Sequence, residues 1–217
     1  MTASTVSSPA LSRRAHRRTA VLLLGWFSLV TMLALNGFFV PVDSGPPLNL
    51  LLSGALVLGL FAIAWFLSPT FRVYVLDLDL RLLVLVHSLR MLGLGFVMLY
   101  LVGQLPMSFA LLAGIGDALT ALGAVLLVWL AIRGNGEMDR QWLMRWNSFG
   151  LLDFIVALSV GVLTRKGALL APADGLNSDI MLQFPLVIIP AFLVQLLTLT
   201  HVIIYLQLRR NTDSGDR

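Results

Sequence analysis

Three charged side chains lie inside otherwise apolar stretches of this sequence, namely Arg90, Asp117 and Asp153. On insertion scales a charged residue at the centre of a bilayer costs about 2.5–3.5 kcal/mol. Because an arginine stays charged in proteins, we expect Arg90 to contact Asp117 or Asp153 in the interior, directly or through one water. Such a cluster could carry a proton or hold a cationic ligand. Arg–Asp pairs that only lock helices together are the simpler alternative.

Other polar side chains accompany these charges at helical spacing. Residues three and four apart share one face of a helix, which places His87 beside Arg90. The same spacing places four polar residues on one face of the last apolar stretch. The predicted ligand or proton site therefore consists of Arg90, Asp117, Asp153, His87, His201, Gln195, Thr198 and Tyr205.

Two of these residues suggest a haem site as an alternative. Two imidazoles at similar depth on facing helices are what bis-histidine ligation of a b-type haem needs. His87 and His201 could hold one such haem in an electron-transfer protein, since the third histidine, His16, lies in the N-terminal tail. Apart from this haem, the sequence indicates no cofactor and no metal site.

A protease motif is a further alternative. The segment 114–117 matches the G-x-G-D pattern of presenilin-like and prepilin-peptidase-like aspartyl proteases, with Asp153 as the second carboxylate. In those enzymes the G-x-G-D aspartate is the second of the pair, whereas here it is the first. An arginine nearby would also keep a carboxylate ionised instead of letting two carboxylates share a proton. We therefore assign no catalytic residue, and the sequence favours a protein that is not an enzyme.

The composition is that of a membrane protein. Hydrophobic residues make up 58% of the chain and charged residues 12%, with a mean hydropathy of +0.90, whereas a soluble domain has about 25% charged residues. The chain has no cysteine, which excludes disulfides and cysteine nucleophiles. Basic residues lie at the ends of apolar stretches and form no phosphate-binding stripe, so no nucleic-acid partner is predicted.

Six apolar stretches are each near the ~20 residues needed to cross about 30 Å of hydrocarbon. The predicted fold class is an all-α membrane protein with six transmembrane helices. Small residues beside polar ones indicate close helix packing, so spans three to six are predicted to form a polar-cored four-helix bundle, and Pro190 is expected to loosen span six. The predicted spans are 19–40, 48–67, 82–102, 109–132, 147–164 and 185–208.

The helical rise of 1.5 Å per residue gives the expected depth of each charge. Counted from Arg81, Arg90 lies about 13 Å inward. Asp153 lies about 9 Å from the start of its span. Asp117 lies nearer the middle, so only an extended Arg90 would reach it.

The distribution of basic residues predicts the topology. Twelve Lys and Arg lie on the side of both termini, and only Arg165 and Lys166 lie on the other side. By the positive-inside rule, both termini are cytoplasmic, and Trp142 and Trp146 suit the cytoplasmic interface. The predicted domains are a disordered basic tail over 1–18, the six-helix transmembrane domain over 19–208 and a polar tail over 209–217.

Five segments of the sequence carry a resemblance: 90–96, 104–110, 113–117, 147–153 and 184–190, the last followed by His201. Together they resemble a group of uncharacterised bacterial six-span integral membrane proteins, over roughly residues 70–208. The resemblance implies a bacterial inner membrane and brings no established activity.

The predicted function is that of a membrane protein that binds or translocates a small molecule or a proton through the buried Arg/Asp/His cluster. The expected partners are the lipid bilayer and, as an option, further copies of the chain. The rival prediction is a structural or accessory membrane subunit without chemistry of its own.

Overall fold

The structure is a computed structural model that describes residues 9–42, 45–134 and 136–215, with side chains over 14–42, 45–134 and 136–210. These residues form helices and no strand. The all-helical fold class and the six apolar helices are therefore confirmed. The helical segments long and apolar enough to cross a membrane are Arg14–Leu35, Leu48–Leu67, Leu80–Leu101, Met107–Arg133, Arg140–Leu163 and Ile189–Arg210.

The first two long helices are α1, Pro9–Leu35, and α2, Leu48–Leu67. Helix α1 begins inside the stretch 1–18 that was predicted to be a disordered tail, and residues 1–8 of that stretch lie outside the described part of the chain. A short helix α3, Pro69–Leu76, follows α2 directly. Its N-terminal cap is Ser68, whose hydroxyl accepts a bond from the Phe71 amide.

The third span is not a continuous α-helix. It consists of α4, Leu80–Leu85, a central 3₁₀ helix, Val86–Gly93, and α5, Leu94–Leu101. A 3₁₀ helix has three residues per turn, so side chains three apart lie directly above one another. His87, Arg90 and Gly93 have this spacing, and all three are buried.

A tight glycine turn joins α5 to the next helix. Gly103 has a φ of +71°, which glycine adopts without steric cost. The amides of Gly103 and Gln104 bond to the carbonyls of Tyr100 and Leu99 at 2.9 and 2.8 Å, the pattern of a Schellman cap. Helix α6, Met107–Arg133, therefore returns along α5 and the central 3₁₀ helix.

Helix α7, Arg140–Leu163, is longer than predicted. Its N-terminal cap is Asp139, whose carboxylate accepts a bond from the Trp142 amide at 2.9 Å. The helix thus begins in the charged segment before position 147, where the predicted span began. Asp153 consequently lies further from the start of its helix than the sequence count gave.

The sixth span has an irregular beginning. After a 3₁₀ turn, Ser178–Leu182, one π-helical turn, Ile189–Leu193, leads into α8, Val194–Gly215. Pro190 lies in the π-helical turn and has no amide hydrogen to donate. The sixth span is therefore irregular at Pro190, the position at which it was expected to loosen.

Contacts at α3 bring the two ends of the chain together. The hydroxyls of Thr19 in α1 and Tyr74 in α3 are 2.8 Å apart, and Arg210 in α8 donates to Asp77 at 3.3 Å. We call this part of the molecule the basic end and the opposite part, which contains residues 164–183, the loop end.

The core has an apolar cluster on each side of Arg90, and α6 packs against the central 3₁₀ helix, α5 and α7. The cluster toward the basic end includes Val84, Leu143, Trp146, Ile204 and Leu208. The cluster toward the loop end includes Phe96, Leu105, Phe109, Ala110 and Met181.

Candidate functional site

Arg90 lies at the centre of the candidate site and is 2% exposed. Its Nε donates to Asp117 Oδ1 at 2.6 Å. Its Nη2 donates to Asp153 Oδ2. Both carboxylates that were predicted as alternative partners therefore contact the guanidinium directly, which confirms the expected pairing.

Local helix geometry explains why Arg90 reaches both carboxylates. The rise of a 3₁₀ helix is about 2.0 Å per residue, against 1.5 Å in an α-helix. Arg90 therefore lies about 16 Å from Arg81, where the α-helical count gave about 13 Å. Asp153 likewise lies further along its helix than expected because α7 begins at Arg140. The hydrogen bonds of Arg90 show that both carboxylates lie within its reach.

Glycines provide the space for this cluster. A Cβ atom at Gly116 would lie 1.7 Å from Asp153 Oδ1, and one at Gly93 would lie 2.5 Å from Asp117 Cβ. A Cβ atom at Gly150 would lie 2.5 Å from the ring of His201. Small residues beside polar ones were predicted from the sequence, and here they let the helices approach closely.

The second terminal nitrogen of the guanidinium, Nη1, also has partners. Arg90 Nη1 donates to the Gly150 carbonyl at 3.0 Å and to His201 Nε2 at 3.2 Å. The ring of Phe154 covers one face of the guanidinium, with Arg90 Cζ 3.8 Å from the ring centroid. One side chain therefore links the central 3₁₀ helix to α6, α7 and α8.

The hydrogen bonds of His201 determine where its proton lies. An arginine can only donate, so His201 Nε2 must accept the bond from Arg90. The proton is then on His201 Nδ1, which donates to Asn147 Oδ1 at 2.8 Å. Asn147 Nδ2 in turn donates to the His201 carbonyl at 3.2 Å. His201 is therefore neutral in this arrangement.

His87 has the opposite tautomer. The Thr200 hydroxyl donates to the Leu197 carbonyl at 2.8 Å, so its oxygen accepts from His87 Nε2 at 2.9 Å. The proton of His87 is thus on Nε2. Within the described residues, the buried Nδ1 of His87 has no hydrogen-bond partner.

The two histidines come together, but their arrangement does not fit a haem. The ring centroids of His87 and His201 are 4.0 Å apart. Metal–imidazole bonds are about 2.0–2.1 Å long, so rings this close leave no room for an iron between their nitrogens. Both Nε2 atoms are also occupied, by Thr200 and Arg90. Over the described ranges, no group of three His, Cys, Asp or Glu is placed to hold a metal ion.

Three of the predicted site residues lie apart from Arg90. Gln195 Nε2 donates to Ser53 of α2 at 3.0 Å, and the Thr198 hydroxyl donates to the carbonyl of Val194. Tyr205 carries Arg209 over its ring. The face of α8 that packs into the core instead includes Leu197, Thr200, His201 and Ile204.

Asn147 and Thr200 also belong to the site, although neither was predicted from the sequence. Asn147 has the three-residue spacing to Gly150 and Asp153, and this signal was present in the sequence. Trp146 was placed at the interface, and the structure corrects this. Its side chain is 8% exposed and its Nε1 donates to the Thr120 carbonyl at 2.9 Å.

A largely apolar cavity adjoins the cluster on the side of the loop end. It leaves about 70 Å³ for the centres of water molecules, within a wider hollow of about 670 Å³ that includes space open to the outside. It lies between α2, α5, α6, α7 and the π-helical turn. Within the described part of the cluster, Asp117 is the charged residue that lines it. The apolar lining includes Leu50, Phe96, Phe109, Phe154, Ala157 and Met181.

A second buried charge lies at the other end of the cavity. Arg165 lines the cavity and donates to Asp179 at 2.6 Å. It also donates to the carbonyl of Gly45, before α2. The Ser178 hydroxyl bonds to the Gly161 carbonyl of α7. These bonds attach the segment after α7 to both helices beside the cavity.

No curated protein and no solved structure matches this chain. A model of a protein family, described as a domain of unknown function (DUF8737), matches residues 46–209. The match includes Arg90, its partners and every residue that lines the cavity. Because it extends over most of the sequence, the chain belongs to the DUF8737 family.

Proposed function

We propose that this chain is a multi-pass membrane protein that binds a small molecule in the cavity beside the Arg90 cluster. One observation carries the proposal: Asp117 belongs to the cluster and also lines the cavity. Binding sites for small molecules are mostly apolar, with a few polar groups that orient the ligand. Asp117 is such a group, beside the cluster, and Arg165 and Ser178 lie further along the lining.

The distribution of charge supports a membrane orientation. Several arginines at the basic end lie over aromatic rings, an arrangement suited to the headgroup region. They include the pairs Arg72–Trp65, Arg133–Trp129, Arg145–Trp142 and Arg209–Tyr205. In our proposal this end, with both termini, faces the cytoplasm of a bacterial inner membrane. Spans three to six then form the bundle around Arg90.

The packing favours binding over passage through the protein in this conformation. Between Arg90 and the basic end, Val84, Leu143, Trp146 and Ile204 fill the core. The cavity lies on the opposite side of the cluster. A ligand would therefore enter from the loop end or from the bilayer and stop at Asp117.

Phenylbutanol, a neutral probe with an apolar body, tests the proposal. Equilibrium dialysis with the protein in lipid nanodiscs should show saturable binding above that of empty nanodiscs. Ala157→Phe fills the cavity and should abolish this binding. Ile155→Phe adds the same ring to the exposed face of α7 and is the matched control. Equal binding by wild type and Ala157→Phe would refute a site in this cavity.

A structural role is the second candidate, and the four hydrogen bonds from Arg90 to three other helices favour it. Replacing a buried ionic cluster by apolar residues of similar volume is often neutral or stabilising. The triple variant Arg90→Met, Asp117→Leu, Asp153→Leu tests this role. If the cluster only holds helices together, the triple variant stays folded and supports the same cellular function as wild type. Loss of that function in a stable triple variant would reject a purely structural role.

A further inference from the structure

We infer that the cavity selects a lipophilic monocation, in particular a protonated amine on an aromatic or aliphatic body. The inference rests on the proposed function, that the cavity binds a small molecule. It adds the chemical class of the ligand and the atom that recognises it, Asp117 Oδ2.

The cluster contains more carboxylates than cations. One guanidinium, from Arg90, faces two carboxylates, from Asp117 and Asp153. His201 accepts from Arg90 and is neutral. A second proton on His87 would lie on Nδ1, where the described residues offer no acceptor. With both carboxylates ionised, the cluster carries one net negative charge, which a bound cation would neutralise.

The part of the cluster that lines the cavity is the negatively charged side chain of Asp117. Phe154 lines the cavity and covers one face of the Arg90 guanidinium, which donates to both carboxylates and to two further groups. Asp153 bonds to Arg90 behind this ring and does not line the cavity. Asp117 Oδ1 bonds to Arg90. No hydrogen bond within the described chain reaches Asp117 Oδ2, so this oxygen can accept one from a ligand.

The part of the cavity beyond Asp117 suits the apolar body of such a ligand. The walls beyond Asp117 are apolar and include the aromatic rings of Phe96 and Phe109. From Phe154 to Arg165 along α7 is about 16 Å, enough for a phenylalkyl group. Arg165 at the far end is paired with Asp179, so the mouth does not repel a cation.

Three probes with the same apolar body test the inference: phenylbutylammonium, phenylbutanol and phenylbutyrate. At pH 7 they are a cation, a neutral hydrogen-bond donor and an anion. Because a charge-assisted hydrogen bond is roughly twice as strong as a neutral one, wild-type protein in nanodiscs should bind the ammonium about tenfold more tightly than the alcohol. The carboxylate should bind more weakly than the alcohol.

Two variants test whether the preference for the ammonium over the alcohol depends on Asp117. Asp117→Asn removes the charge and should bring the affinities of ammonium and alcohol to within about twofold, the precision of the comparison. Asp77→Asn, an exposed carboxylate at the basic end, is the matched control and should keep the wild-type ratio. If Asp117→Asn does not fold, Ala157→Phe provides the location, because it should block the ammonium as well as the alcohol.

The possible results separate the two proposals. If no probe binds, or if Ala157→Phe blocks none, the proposed function itself fails. If the alcohol binds in the cavity but the ammonium binds no better, the cavity is real and the inference on ligand class is wrong. Unchanged ammonium preference in folded Asp117→Asn would also overturn it.

Discussion

Arg90 donates hydrogen bonds to groups on α6, α7 and α8, and its own backbone belongs to the central 3₁₀ helix. Removing one partner from a buried ionic cluster leaves the other charges without compensation, in surroundings that hydrate them poorly. For this reason the side chain of Arg90 should affect stability more than any exposed arginine.

We predict that Arg90→Leu lowers the free energy of unfolding by about 3–5 kcal/mol. The physical reason is that Asp117, Asp153 and the Gly150 carbonyl all lose a donor. Arg72, which is exposed, provides the control, since Arg72→Leu should change stability by no more than about 0.5 kcal/mol. Thermal unfolding of both variants in one detergent is the measurement. Similar melting shifts for the two would contradict this account of Arg90.

The two buried histidines should have opposite tautomers. We predict a proton on Nδ1 of His201, because Arg90 occupies Nε2, and a proton on Nε2 of His87, because Thr200 accepts from it. Nitrogen NMR of protein labelled at histidine distinguishes the two forms by chemical shift. His16→Gln removes the third histidine signal and simplifies the assignment. Two histidines with the same tautomer would show that the proposed hydrogen-bond chain is incorrect.

At the scale of helices, close approach depends on a few glycines. In α6, Gly116 lies against Asp153 of α7, and Gly114 lies against the Gly93 carbonyl of the central 3₁₀ helix. Membrane helices associate through such small residues because lipid provides no hydrophobic force between them. The same glycines leave space for the two carboxylates, so helix packing and the charge cluster are coupled.

Two glycine substitutions provide a matched test of this coupling. Gly116→Ala would place a methyl group on the Asp153 carboxylate, and such overpacking typically costs about 1–3 kcal/mol. Gly59→Ala in α2 meets no atom within 4 Å and should be neutral or stabilising, by up to about 1 kcal/mol from helix propensity. Thermal unfolding in the same detergent compares them. A Gly116→Ala variant as stable as Gly59→Ala would mean that α6 and α7 are further apart than described.

At the basic end of the molecule, arginines lie over aromatic rings. The cavity lies on the side of the Arg90 cluster toward the loop end. Contacts of Tyr74 with Thr19 and of Asp77 with Arg210 place α1 and α8 beside α3 at the basic end. If each of the six apolar helices spans the bilayer, the chain crosses it an even number of times, and the regions before the first helix and after the last one lie on the same side.

Single cysteines can test the proposed orientation because the chain has none of its own. We predict that a membrane-impermeant maleimide labels Ala171→Cys, at the loop end, on intact cells. Glu137→Cys, in the segment between α6 and α7, should react only after the cells are made permeable. Labelling of Glu137→Cys alone on intact cells would show that the orientation is reversed. Labelling of both positions on intact cells would refute the proposed topology.

The sequence by itself determined the six apolar helices and the pairing of Arg90 with aspartates. Whether a segment is long and apolar enough to cross the bilayer depends only on the residues of that segment. The pairing follows from the cost of an isolated charge in lipid, which limits Arg90 to a few partners. Both could therefore be predicted without knowing how the helices pack, although which of the two aspartates pairs with Arg90 was left open.

Only the tertiary structure decided which other polar side chains join the cluster. In a membrane helix the face toward lipid and the face toward the core are both apolar, so hydropathy does not show how a helix is rotated. The spacing of the polar residues in the last span therefore predicted one common face that included Gln195, Thr198 and Tyr205. In the structure, these three residues lie apart from Arg90. The cavity beside Asp117 likewise depends on distant segments, because residues from α2 to the π-helical turn line it. The 3₁₀ geometry from Val86 to Gly93 was not predicted from the sequence. The start of α7 at Arg140 has a local cause, the N-terminal cap Asp139, which the sequence prediction did not use.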